Sequence, residues 1–308
     1  MGHSVTDFAN SQWFTRGWTL QELLAPRTVV FLSKQWQELG QKSSLACIAD
    51  ITGIPALYVN GVDRYMLADI SAAEKFGWAA KRQTSRKEDQ AYCLLGLFDV
   101  SMPLLYGEGD KAFRRLQRKI LKSSKDKSIF LWDKLWAPYF YHGLLAESIG
   151  RFARPLDKLR DPAKKNLSRI PGLTRSPYLV TNKGLQFYVP RELARKQGIL
   201  LPLNCRYISQ DGLKEAYAIR LEKINDEGRW ANIFSEDWPD GLPAVNCDVR
   251  RVPGFSGLFL VSVDWVWSRE ELSKRGSEVV YMVVDEFESQ HISRFPNIQR
   301  LPSWQKST

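Results

Sequence analysis

The sequence predicts an α+β protein, in which a mixed α/β portion with a helical continuation is followed by a β-rich domain of sandwich or barrel type. Three observations predict it. From about Trp13 to Trp132 apolar residues recur mostly at helical spacing. One continuous β-rich run, Thr28-Val-Val-Phe-Leu32, interrupts them and has the composition of a buried strand of the parallel kind. From Tyr178 onward short period-2 runs take over, separated by turn sequences.

In chain order, Thr15 to Leu24 carries Trp18, Leu20, Leu23 and Leu24 on a helical rhythm that Pro26 ends. The strand Thr28 to Leu32 follows. Helices are expected at Ser43 to Ile51, Leu67 to Lys81, Lys87 to Phe98 and Glu108 to Ser123, with Asp69 and Ser85 as N-cap donors. The stretch Lys111 to Lys127 holds eight basic residues against the single acid Asp126. Its Phe113, Leu116, Ile120 and Leu121 fall at helical spacing, so the basic residues occupy the outer face of an amphipathic helix. The plain reading is a solvated face; the sharper one is an RNA or phosphoinositide patch. Residues 150–172 are rich in Arg, Lys, Asp and Pro, including Pro155, Pro162 and Pro171, a linker-like composition. The expected organisation is therefore a first portion at 1–135, a linker-like segment at 136–172 and a β-rich domain at 173–308. In the last, strands are expected at Leu185 to Val189, Leu200 to Ile208, Ala216 to Ile224, Leu258 to Val266 and Glu278 to Val284. The turns Asn182-Lys-Gly184, Gln210-Asp-Gly212 and Asn225-Asp-Glu-Gly228 separate several of them.

Composition narrows the function classes. With 44% hydrophobic and 25% charged residues over 308 positions, the chain is neither disordered nor fibrous. No apolar stretch reaches the roughly 18 residues of a membrane span, and the N-terminus lacks the basic-then-apolar pattern of a signal peptide. Cys47, Cys93, Cys205 and Cys247 stand singly, which reads as reduced thiols of a cytoplasmic protein. Three His and no Cys/His cluster argue against a metal site. The net charge of +10 is spread along the whole length and no nucleic-acid motif accompanies it, so nucleic acid is the least favoured partner.

Several residues carry chemistry. Arg16 and Arg27 bracket the first helical block, where either could hold a phosphate or carboxylate, or pair within the fold. Trp13, Trp18 and Trp36 read as core anchors. Glu88 and Asp89 suit the first turn of a helix. Cys93 lies on an apolar stretch with no His near it in sequence and reads as a packed thiol. Gly107-Glu-Gly109 forms a tight turn without the Lys-Ser/Thr of a phosphate loop.

The segment Ser11-Gln-Trp-Phe-Thr-Arg-Gly-Trp-Thr-Leu-Gln-Glu-Leu-Leu-Ala-Pro-Arg27 resembles the third block of the fungal heterokaryon-incompatibility (HET) domain. The resemblance continues through Ile51-Thr-Gly-Ile54, Phe76-Gly-Trp-Ala-Ala80, Arg86 to Val100 and Met102-Pro-Leu-Leu-Tyr-Gly-Glu-Gly109. It ends at Ala112-Phe113, Leu116-Gln117 and Ser128-Ile-Phe-Leu-Trp132. The β-rich half is similar, at Thr181-Asn-Lys-Gly184, to the tail that often follows this domain. The family's opening Ser-His-Thr-Trp-Gly-like strand, its Trp-Val/Ile-Asp-Thr strand and its Cys-Ile-Asp are absent before Ser11, so the sequence reads as the C-terminal portion of the domain.

The resemblance implies a partial TIR-like, flavodoxin-like frame and a role in nonself recognition and programmed cell death through protein partners or self-association. In enzymatic TIR domains a helical Glu in a Ser-x-Trp-Cys-x-x-Glu-Leu context cleaves NAD. Ser11, Trp13, Trp18, Glu22 and Leu23 form a similar pattern, so the resemblance makes Glu22 the residue matching that catalytic glutamate, with Arg16, Trp18 and Arg27 as candidate binding residues; the alternative is that Glu22 is an ordinary surface or first-turn helix acid. A carboxylate there stabilises an oxocarbenium-like centre as nicotinamide leaves. NAD is then a substrate of an intact domain only, no cofactor is implied, and Glu22 is expected in a cleft at the carboxyl end of a parallel sheet. With the first strands missing, an exposed apolar edge beside Thr28 to Leu32 is expected as well.

Overall fold

The computed structural model describes residues 5–61, 70–124, 126–132, 141–142, 144–153, Tyr178 and the strands given below. The chain divides into two compact units, Met1–Asp133 with Ala146–Ala163, and Lys134–Leu145 with Lys164–Thr308.

The first unit opens with helix α1 (Val5–Ala9), a 3-10 turn (Gln12–Thr15) and helix α2 (Thr19–Leu24). Ser11 starts the 3-10 turn by accepting from the Trp13 amide, and α2 buries Leu20, Leu23 and Leu24. Next come strands β1 (Val30–Leu32) and β2 (Glu38–Gln41), paired antiparallel with Val30 opposite Gln41 and Phe31 opposite Gly40.

The buried parallel strand expected at Thr28 to Leu32 is thus corrected to an antiparallel hairpin strand. The reason lies in the turn. The Ser33 amide donates to the Gln37 carbonyl (2.8 Å), and the Ser33 hydroxyl accepts from the Gln35 and Gln37 amides (3.2 Å each). Such a side-chain-closed turn reverses the chain at once, whereas a parallel partner needs a crossover of about a dozen residues or more. β1 alternates as a half-buried strand does: Phe31 meets the rings of Phe8 (5.1 Å), Trp13 (5.3 Å) and Phe14 (6.0 Å), while Val30 and Leu32 stay 44% and 46% exposed. Neither Trp18, 40% exposed beside the buried Thr19 and Leu20, nor Trp36 is a core anchor. Trp36 sits in the turn at φ 62° and is 82% exposed.

Helices α3 (Cys47–Thr52) and α4 (Ala56–Val59) lead to α5 (Ala72–Ala79). Three side chains answer the amides at the start of α5. Ser71 accepts from the Glu74 amide, Asp126 from Ala72 (2.7 Å) and Ser128 from Ala73 (3.1 Å). These amides have no partner within the helix, and a buried carboxylate there also suits the helix dipole. The cap is Ser71; Asp69 lies outside the described residues, and Ser85 caps no helix in the structure. From α5, Phe76 reaches into a cluster with Phe98 (4.6 Å), Phe152 (4.7 Å) and Phe113 (5.3 Å).

Helix α6 (Asp89–Tyr92) is short, and α7 (Lys111–Ser123) is the long amphipathic one. Ala112, Phe113, Leu116, Gln117, Ile120 and Leu121 of α7 face inward. It begins at Lys111, later than the expected Glu108, because Gly107 and Gly109 hold a turn with φ 100° and 58°. The buried Gln117 amide pairs with the Ala146 peptide, donating to its carbonyl (2.9 Å) and accepting from its amide (3.0 Å). Part of the segment expected as a linker is therefore packed. Leu144, Leu145, Ala146, Ile149 and Phe152 are all buried, and their apolar side chains are the reason. Residues 154–177 lie outside the described residues.

In the second unit β3 (Tyr141–His142), β4 (Leu179–Thr181), β5 (Gly184–Pro190), β6 (Ala194–Arg195), β7 (Gly198–Ile208) and β8 (Lys214–Lys223) join one sheet. β9 (Arg229–Ile233), β10 (Val249–Arg251), β11 (Leu258–Ser262) and β12 (Ser277–Met282) complete it. Its main path runs β10-β11-β8-β9-β12-β5-β4, with β7 also on β8, β6 on β7 and β3 on β9. The pairs are antiparallel except β12 with β9. Leu185 and Phe187, and Leu201 and Leu203, are buried at every second position, with Leu201 opposite the buried Ile219.

Candidate functional site

The block from Ser11 to Arg27 is tied down by side chain to backbone hydrogen bonds. The Thr19 hydroxyl lies between the carbonyls of Trp13 (2.5 Å) and Arg16 (2.7 Å). Arg82, from the end of α5, donates to Thr19 Oγ1 (2.9 Å), to the Arg16 carbonyl (3.0 Å) and to the Trp78 carbonyl (3.3 Å). Burial pushes its guanidinium down to about 10, so it stays charged at neutral pH. The Gly17 amide donates to the Gln83 carbonyl (2.8 Å), and a Cβ at Gly17 would stand 2.5 Å from the Thr84 methyl and 3.3 Å from Cys93 Sγ. Only glycine permits that approach. Gln21 Nε2 donates to the Cys93 carbonyl. Lys42, buried at the far end of α2, donates to the Leu23 carbonyl (2.9 Å) and to that of Pro26. A cation on the last carbonyls of a helix answers both their missing hydrogen bonds and the dipole, and burial holds the ammonium below its usual range.

The predicted site residues fall on the outside of this block. Glu22 is exposed on α2, Arg16 and Arg27 are exposed, and Trp18 is partly exposed at the α2 N-cap. The first unit does contain a cleft, of about 370 Å³, lined by Phe14, Thr15, Asp50, Trp78, Lys81 and Arg82 among others. None of Glu22, Arg16, Trp18 and Arg27 lines it. Leu20, Leu23 and Leu24 own the inward face of α2, and that leaves Glu22 on the solvent side.

A second constellation was not visible in the sequence. Tyr92, on α6, takes the Leu105 amide on its hydroxyl oxygen (2.7 Å) and lies 3.0 Å from Glu108 Oε1. Glu108 also pairs with Arg115 (2.9 Å), which reaches the Pro103 carbonyl (2.5 Å). Glu88 Oε1 accepts from the Gly107 (2.7 Å) and Gly109 (2.9 Å) amides. Tyr106 donates to Asp89 Oδ1 (3.1 Å) beneath the Arg86 guanidinium, 4.5 Å above its ring. A carboxylate of the protein itself fills the anion hollow formed by the glycine turn, taking the amides of Gly107 and Gly109. Glu88 serves this turn instead of a helix dipole, a role for which twenty residues of separation left no local signal.

This clasp makes a pH prediction. The Gly109 and Gly107 amides hold the Glu88 carboxyl below its usual range. A depressed carboxyl contributes stability above its unfolded pKa, and that contribution is lost as pH falls through the folded value. Glu88→Gln is therefore expected to lower the melting temperature at neutral pH, with the gap to wild type closing below the ordinary glutamate range. A gap that stays constant with pH, in melting curves taken from neutral to strongly acid buffers, contradicts the assignment.

The reactive inventory is sparse. Burial pushes the Cys93 thiol up to about 12, which keeps it a packed, inert group. Among the described residues no cluster of three or more His, Cys, Asp or Glu could hold a metal, and no helix is long and apolar enough to cross a membrane. What the first unit does offer is exposed apolar surface, at Val30, Leu32 and Trp36 on the hairpin and at Leu104, Leu105 and Tyr106 on the clasp loop. Scattered exposed apolar residues are ordinary, but groups of them on rigid supports mark interaction sites.

Comparison with known proteins gives one informative likeness. Over 117 residues, 37% of the chain, the sequence is 48% identical to the vegetative incompatibility protein HET-E-1 of Podospora anserina. The match covers 8% of that much longer protein. No protein-family model matches the chain, and no solved structure does.

Proposed function

We propose that this chain takes part in nonself recognition of the vegetative-incompatibility type, linked to programmed cell death, and that its first unit acts by association with a second copy. The observation that supports the first part is the 48% identity to a vegetative incompatibility protein across more than a third of the chain. The surface that supports the second is the β1–β2 hairpin. Phe31 is locked inward by three aromatic neighbours, so Val30 and Leu32 are held outward, with Trp36 at the tip. Among the described residues each of the two strands has a single strand neighbour, which leaves an edge open to pairing with another chain.

The test is growth of a heterologous fungal host expressing the full chain. Wild type is expected to arrest growth, and Leu32→Asp with Trp36→Ser is expected to relieve the arrest at equal protein level. Unimpaired arrest by the double variant overturns the hairpin's role. Absence of arrest by wild type overturns the recognition reading itself.

A second reading, NAD cleavage of the TIR type by an intact domain, has the Ser11, Trp13, Trp18, Glu22 and Leu23 pattern in its favour and the solvent-side position of Glu22 against it. Glu22→Ala separates the two. The association reading expects arrest to persist in this variant with NAD levels unchanged. Loss of arrest together with restored NAD favours catalysis.

A further inference from the structure

The clasp loop and α7 join two features that seldom meet on a surface: exposed large apolar side chains and a one-sided stripe of basic residues. All six basic residues of α7 (Lys111, Arg114, Arg115, Arg118, Lys119 and Lys122) fall within about 140° of its circumference at about 100° per residue, and the helix holds no acid. On the opposite arc Ala112, Phe113, Leu116, Gln117, Ile120 and Leu121 are buried in the core. At the N-terminal end of this basic stripe stand Leu104, Leu105 and Tyr106, each about half exposed. Arg115, in the middle of the stripe, ties the two together through the Pro103 carbonyl and Glu108.

The loop is built to hold its side chains out. Its backbone hangs on buried Tyr92 through the Leu105 amide and on buried Glu88 through the Gly107 and Gly109 amides. The acids around it have partners within the loop region: Glu88 those amides, Glu108 Arg115, Asp89 the Tyr106 hydroxyl, and the exposed Asp110 Lys87 at 3.3 Å. Each carboxylate near the loop thus has a donor or cation beside it, and the exposed leucines stand next to the lysines of α7.

We propose that this face docks peripherally on an anionic lipid bilayer. Leu104 and Leu105 enter the headgroup layer, and the exposed Lys111, Lys119 and Lys122 meet the lipid anions. Charge complementarity alone would suit RNA equally, but RNA would leave two leucines in water, and the one aromatic available for stacking already carries Arg86 over its ring. Exposed lysines, each a compact charge on a long stem, suit a fluid sheet of charge better than a partner that needs one bidentate geometry. This surface is separate from the hairpin, and the proposal stands or falls apart from the one above.

The experiment is cosedimentation of the full chain with vesicles of phosphatidylserine and phosphatidylcholine, against phosphatidylcholine alone. Binding is expected only to the anionic vesicles and is expected to weaken as salt is raised. Lys119→Gln with Lys122→Gln should weaken it about thirtyfold, because each basic residue near such a surface contributes about fivefold. Leu105→Ser should weaken it about tenfold through lost apolar insertion, with an unchanged circular dichroism spectrum. Equal binding to both vesicle types, or none to either, overturns the proposal. So does full binding by Leu105→Ser, or retention on polyuridylate or polyglutamate as strong as on the anionic vesicles.

Discussion

Phe76→Ala is expected to lower the stability of the first unit by about 3–5 kcal/mol, the range for truncating a fully buried aromatic. Phe76 is the hub of a cluster that gathers Phe98, Phe113 and Phe152 from three separate stretches of chain. Its removal opens a cavity whose walls belong to helices and turns fixed elsewhere by hydrogen bonds, so little collapse can fill it. Chemical denaturation followed by tryptophan fluorescence reads the change directly. A loss under about 1 kcal/mol means that the cluster is not the centre of this core.

Arg82→Leu comes next, with an expected loss of about 3 kcal/mol. The leucine keeps most of the apolar stem but removes the Arg82 donor from the Trp78 carbonyl and the Thr19 hydroxyl, and leaves the Arg16 carbonyl with Thr19 alone. Unpaired buried acceptors cost about 1–3 kcal/mol each where water cannot reach them. Because Arg82 bridges α5 to the start of α2, the same substitution should raise protease sensitivity near residues 13–19. Stability and cleavage pattern like those of wild type contradict this bridging role. By contrast Glu22→Ala, on the open face of α2, is expected to change stability by no more than about 0.5 kcal/mol.

What was legible in the sequence follows from periodicity. The inward set of α7, Phe113, Leu116, Ile120 and Leu121, could be read because a helix with a basic face has one way to bury itself. The apolar run at Thr28 to Leu32 misled for an equally physical reason. Composition distinguishes strand from helix, but it says nothing of the partner, and Ser33 with Gln37 turned the chain back before a crossover could begin. The exposed apolar edge was expected there on other grounds, and Val30 and Leu32 do lie exposed. Trp36 looked like a core anchor because tryptophan is large and apolar; its place in a turn was decided by Ser33 and Gln37, which close the chain around it. The clasp of Glu88, Tyr92 and the Gly107–Gly109 turn, and the seats of Lys42 and Arg82, rest on side chain to backbone bonds between distant segments. Backbone acceptors carry no letter in the sequence, so such pairs leave no pattern to find. Glu22 shows the converse: a motif was present, but the leucines around it set which way the helix faces.

The account turns on association through the hairpin, and sedimentation velocity of the full chain over a range of concentrations tests it most directly. Wild type is expected to shift from monomer to dimer as concentration rises, and Leu32→Asp with Trp36→Ser is expected to remain monomeric while keeping its circular dichroism spectrum. A wild-type chain that stays monomeric throughout, or a double variant that dimerises as wild type does, would contradict it.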